Sequence, residues 1–153
     1  MPEGSRDSLE TTLSILGFVV AVLAIALMAA RGVVFCTAPV GIAVQVLAAA
    51  LMGWARITFG RRSFHAAANP TTGGLVSHGP YRYWRHPIYA AILYFVWAAA
   101  ICHRTKTMAW AGAVVITLGL ALRMAMEERL LRQEMPGYAE YAARTKRVIP
   151  FLI

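Results

Sequence analysis

Leu13–Ala30 reads LSILGFVVAVLAIALMAA, and with Thr11 and Thr12 ahead of it the stretch carries no charged side chain. A run of about 20 apolar residues, coiled into a helix, matches the ~30 Å of hydrocarbon in a bilayer, so this segment predicts a membrane-spanning helix. The residues before it, MPEGSRDSLE, are mixed in charge, and Arg31 follows it directly. A secretory signal has a shorter apolar part and a basic start. The run therefore reads as a retained anchor.

The rest of the chain agrees with that reading. Of 153 residues, 59% are hydrophobic and 14% charged, against roughly 25% charged in an ordinary soluble domain. A chain this short makes one domain, whose core cannot hide so large an apolar surplus. A second apolar run extends from about Val40 to Phe59 with Gln45 as its main polar interruption. A third, IYAAILYFVWAAAIC, follows Pro87 and reaches His103; a fourth runs from Met108 to about Met126 and carries Arg123 near its end. Gly53, Gly112 and Gly119 suit close helix contact in lipid, where small residues let backbones approach. The expected fold is all-α: an integral membrane protein of about four transmembrane helices and an amphipathic C-terminal helix. It is a single domain over residues 1–153, with the chemistry between about 75 and 150.

Net charge is +8, from 15 basic and 7 acidic side chains. With a cytoplasmic N-terminus, Arg6, Arg56, Arg61, Arg62, Arg82, Arg85, Arg123, Arg129, Arg132, Arg144, Lys146 and Arg147 fall inside, and Arg31, Arg104 and Lys106 outside. That division follows the positive-inside rule and places both termini in the cytoplasm of an inner or cell membrane. Topology thus accounts for the basic excess, and no nucleic-acid partner is expected. Cys36 and Cys102 stand apart from any CxxC or Cys/His cluster, so they read as small buried hydrophobes rather than a disulfide or metal site; no metal is expected.

Two polar segments hold the chemistry. HGPYRYWRHPIY, His78–Tyr89, crowds aromatic, imidazole and guanidinium groups where the chain enters the third span. Pro80 and Pro87 stiffen it. RMAMEERLLRQE, Arg123–Glu134, puts Arg123 and Glu127, and likewise Glu128 and Arg132, at i, i+4 on one helix. Carboxylates beside hydrocarbon are costly and tend to be functional. Beyond Pro136 and Gly137, YAEYAARTKRVIPF reads as an interfacial helix with a basic end.

The order GPYRYWRHPIY, apolar span, apolar span, EE, Tyr-x-x-Tyr and RVIP resembles the isoprenylcysteine carboxyl methyltransferase family in its prokaryotic form, which is similar in its C-terminal half to phospholipid methyltransferases. The resemblance covers about Leu75–Pro150. It implies a membrane enzyme that uses S-adenosylmethionine to methylate a lipophilic acceptor: a prenyl or isoprenoid carboxylate, a thiol, or a lipid amine. Position by position, it implies a cofactor site at His78, Tyr81, Arg85, His86, Pro87, Tyr89, Glu127 and Glu128, with Arg85, His86 and Glu128 catalytic. One departure is Ala91, where the family often has glycine. Two rival readings stay open: a sterol-type membrane reductase using NADPH, with Arg144, Lys146 and Arg147 toward its 2′-phosphate, and a non-catalytic membrane subunit. The oligomeric state is left open.

Overall fold

The computed structural model describes residues 3–60 and 75–149, with side chains from residue 11 onward. Arg61, Arg62, His65 and Pro150 lie outside the described residues, as does the side chain of Arg6. Helix α1 spans Glu3–Ala30, α2 Pro39–Phe59, α3 Pro87–Cys102, α4 Thr107–Glu134 and α5 Tyr138–Arg144. Among the described residues there is no strand, only one isolated bridge between Trp84 and Lys146. The fold is all-α, as expected.

The helix limits follow from local chemistry. Pro39 and Pro87 sit in the first turns of α2 and α3, where a missing N–H costs nothing. Helix α2 stops at Gly60, whose φ of 67° is left-handed. After α4, Pro136 cannot continue the ladder, and Gly137 turns left-handed at φ 80° to start α5.

Among the described residues, three helices are long and apolar enough to cross a membrane: Thr11–Ala30, Pro39–Phe59 and Thr107–Glu134. They leave Leu16, Val22, Leu23, Leu47, Ile57 and Leu118 exposed, an apolar outer surface that suits lipid. Helix α3 is shorter, 16 residues, or about 24 Å of rise. Its Ala90, Ala91, Leu93, Val96, Ala98, Ala99 and Ala100 are buried. The third expected span is therefore the inner helix of the bundle, packed against α2 and α4.

Successive helices run in opposite directions. The main packing pairs are α1 with α4, α2 with α3, and α3 with α4. The core lies among α1, α3 and α4: Ala21, Met28, Leu93, Val96, Ala113, Ile116 and Leu120. Small residues carry the α1–α4 contact, since a Cβ on Gly119 would stand 2.7 Å from the carbonyl oxygen of Gly17. Gly112 faces Met28 in the same seam, whereas Gly53 faces open space. Within lipid this seam is held by van der Waals packing rather than by the hydrophobic effect. Gln45 is satisfied inside the protein: its amide donates to the carbonyls of Val34 (2.8 Å) and Phe95 (3.3 Å), and its oxygen accepts from Cys36 N–H (2.9 Å).

The expectation of two unpaired cysteines is overturned. Cys36, between α1 and α2, is disulfide-bonded to Cys102 at the end of α3, with Cα atoms 5.5 Å apart. The two are 66 residues apart in sequence, and only the antiparallel packing of α2 on α3 brings them together. His103 Nε2 reaches the Phe35 carbonyl beside them at 2.9 Å. This end of the bundle lies one length of α3 away from His86.

Candidate active site

At the opposite end, four segments converge on the start of α3. Gly79 opens a 3-10 turn, Gly79–Arg82, with φ 59°. A Cβ there would sit 2.7 Å from Thr58 Oγ1, so glycine lets the turn press against the end of α2. Tyr81 is buried and stacks on Phe59, ring centroids 5.3 Å apart. The chain from Tyr83 to His86 then zips to the segment after α5: Lys146 N–H donates to Tyr83 O (3.1 Å), Arg85 N–H to Lys146 O (2.6 Å) and His86 N–H to Arg147 O (3.1 Å). Tyr141 hydroxyl donates to Tyr81 O at 2.8 Å. Loop 79–86 and tail 144–147 are thereby one rigid unit.

Glu128 is the hub. It is 3% exposed, and its carboxylate takes two parallel bonds from Arg147, Nε to Oε1 and Nη2 to Oε2, both at 3.0 Å. His86 Nε2 lies 3.2 Å from Oε1, and Arg85 Nε 3.4 Å from the same oxygen. A carboxylate flanked by two guanidiniums only accepts, so His86 must carry its hydrogen on Nε2 and donate. The pair with Glu128 raises the pKa of Arg147 above its ordinary value, through the hydrogen bonds first and the charge second. Arg85 also donates from Nη1 to Ala142 O at 2.8 Å.

Glu127 has a different environment. Its Oε2 accepts from Tyr89 hydroxyl at 2.9 Å, and the ring of Tyr89 stacks on His86 with centroids 5.4 Å apart. Arg123, 5% exposed, donates from Nε to Tyr89 Oη at 2.6 Å. The two i, i+4 pairs expected along α4 are thus rerouted. Arg123 reaches Glu127 through Tyr89, and Glu128 turns to Arg85, His86 and Arg147, while Arg132 lies over the Tyr138 ring.

Three buried donors have no hydrogen-bond partner among the described residues: Trp84 Nε1, Arg85 Nε and Tyr138 Oη. Arg85 Nε is within ion-pair distance of Glu128 yet out of line for a hydrogen bond. Buried unpaired donors are rare and ask for a partner. Burial raises the Tyr138 hydroxyl pKa well above the ordinary value, with the Glu128 charge adding to it. Tyr141 is pushed up to about 12, again chiefly by burial.

Of the residues expected from sequence, Arg85, His86, Tyr89, Glu127 and Glu128 come together through side-chain contacts. Pro87 sets the start of α3, and Tyr81 contributes its carbonyl and a stacked ring. His78 is exposed, and its carbonyl accepts from Tyr81 N–H at 3.2 Å. Ala91 is buried in the α3 packing. Sequence reasoning missed Arg147, Arg123 and Tyr138 as members of the cluster. The RVIP run and the position of Arg123 one turn before the EE pair were the available signals.

Residues 36–135 match the family model described as phospholipid methyltransferase. Among curated proteins, protein-S-isoprenylcysteine O-methyltransferase A of Arabidopsis thaliana is 36% identical over 84 residues, which span 52% of this chain and 41% of the relative. No solved structure matches the chain.

Proposed function

The chain belongs to the phospholipid methyltransferase family, and from that premise we propose that it transfers a methyl group from S-adenosylmethionine to a lipophilic acceptor at the membrane interface. The observation that carries the reading is a set of unpaired buried donors, Arg85 Nε and Tyr138 Oη, beside two carboxylates of opposite character. Such a set fits the amino-acid end of the cofactor, which brings a carboxylate that needs donors and an ammonium that needs an anion. Glu128 is fully engaged by cations. Glu127 spends one oxygen on a hydroxyl and is the carboxylate suited to an incoming ammonium.

When bound, the cofactor supplies a methyl group activated on a sulfonium. The protein's share is positioning. Arg85 has Nη1 committed to Ala142 O and Nε unspent, so it is aimed rather than free to swing. His86 donates to Glu128 from Nε2, which withdraws that nitrogen from service as a base. The role of Glu128 is to hold Arg85, His86 and Arg147 in register. Tyr89 and Trp84 offer ring faces of the kind that attract a cation. The acceptor class is a lipid or prenylated molecule bearing a carboxylate, thiol or amine.

We place this end of the bundle in the cytoplasm. The basic residues gather here, and the Cys36–Cys102 bridge closes the other end; disulfides persist in oxidising compartments. The engagement of Arg147 by Glu128 weighs against the reductase reading, which would ask that guanidinium to meet a 2′-phosphate.

The test is transfer of labelled methyl from S-adenosylmethionine to a total lipid extract by the purified protein, with the product identified. A labelled lipid product is expected, together with a rise in melting temperature on adding S-adenosylmethionine. Stabilisation by NADPH and not by S-adenosylmethionine would overturn the proposal.

A further inference from the structure

Arg123 poses a question that the cluster around Glu128 does not answer. It is a charged side chain buried in α4, a helix long and apolar enough to cross a membrane, and such residues are costly there.

 Arg123 is defined by what it touches. It is 5% exposed. Its guanidinium lies over the rings of Phe18 and Tyr89, 5.2 and 5.9 Å from their centroids. Nη1 donates to the carbonyl and the hydroxyl of Ser14, at 3.4 and 3.3 Å, and Ser14 is fully buried in α1. Nε donates to Tyr89 Oη, and Tyr89 donates onward to Glu127 Oε2.

The polarity of this chain is forced. A guanidinium only donates, and a tyrosine hydroxyl has one hydrogen to give. With Arg123 donating to its oxygen, Tyr89 can satisfy Glu127 only by sending its single hydrogen there. One oxygen of Glu127 is thereby pinned by a neutral hydroxyl, while the carboxylate keeps its charge for a ligand. A cation bonded directly to Glu127 would have neutralised it.

We infer that Arg123, held by Ser14, is a positioning residue that acts through Tyr89 to orient Glu127 toward the cofactor's ammonium group, which makes α1 part of the active-centre frame. The inference rests on the proposed methyltransferase reading. Ser14 precedes the stretch matched by the family model, which begins at residue 36. A helix outside that stretch thus supports the site.

The alternative is that Arg123 only ties α1 to α4, and a double-mutant cycle separates the two. Binding of labelled S-adenosylmethionine and melting temperature are measured for the full chain in lipid nanodiscs. Arg123→Gln and Tyr89→Phe should each weaken binding by roughly tenfold, and the double variant should be little worse than either single one, because both break the same chain. Arg123→Lys, which keeps one donor, should recover part of the loss. Independent effects in the double variant, or a lowered melting temperature with unchanged affinity in Arg123→Gln, would overturn the inference. Should Arg123→Gln fail to fold, Ser14→Ala and Arg123→Lys carry the test, and unchanged affinity in both overturns it. A parent protein that binds no S-adenosylmethionine defeats the functional reading itself, whereas a binding parent with unaffected variants defeats the inference alone.

Discussion

Glu127 and Glu128 are neighbours in sequence with unequal duties, and their amides should fail differently. Glu128→Gln leaves Arg85 and Arg147 facing a neutral group, and removing one partner of a buried ion cluster is expensive. Because the Arg147 side chain is half exposed, the expected stability loss is roughly 2 to 4 kcal/mol, read as a lower melting temperature in detergent. Glu127→Gln should leave melting nearly unchanged and weaken S-adenosylmethionine binding by roughly 1.5 to 3 kcal/mol, the worth of a charged hydrogen bond. Equal effects of the two variants on both readouts would refute this division. The tyrosines around the cluster make a second expectation. Burial raises the pKa values of Tyr81, Tyr138 and Tyr141, the last to about 12. The unfolded chain then loses these protons first, from about pH 10. Their contribution to stability is complete below that pH and is lost as pH rises through the folded values. A melting temperature that stays level to about pH 10 and falls beyond it is expected.

At the level of elements, the α1–α4 seam is the contact least tolerant of change. Gly119→Ala would drive a methyl group against the Gly17 carbonyl, which cannot swing aside as a side chain can. The expected cost is about 1 to 3 kcal/mol. Gly53→Ala is the control, since nothing lies within 4 Å of the added carbon, and it should be neutral or gain up to about 1 kcal/mol of helix propensity. Apolar runs in the sequence located α1 to α4 well, because length and hydropathy are local properties. The site was legible where its chemistry is local: the RHP-x-Y and EE residues do meet. The Cys36–Cys102 bridge was not legible, as it depends on α2 and α3 lying side by side. Arg123 and Glu127 were expected to pair along α4. Tyr89, 34 residues away from Arg123, intervenes from another helix, and helical spacing carries no sign of it. Arg147 was assigned to a basic tail, and only the backbone zipper at Trp84 and Lys146 brings it to Glu128.

For the whole molecule, the basic end carrying the site and the bridged end have opposite surroundings in the proposed topology. Tags at residues 1 and 153 should both be reached from the cytoplasm, by protease or dye in inside-out vesicles and not in intact cells; labelling of either from outside would refute the orientation. The bridge between Cys36 and Cys102 encloses residues 61–74 in its covalent ring. A single hydrolytic cut in that interval, at an engineered protease site, would open the ring without releasing a fragment. The cleaved protein should migrate as one species on a gel without reductant and as two with it. One fragment would carry α1 and α2, with Ser14, and the other α3 to α5, with Arg123. Any activity that survives the cut should then depend on reductant only so far as helix packing fails to hold the two pieces together, which gives a direct reading of how much of the assembly is noncovalent.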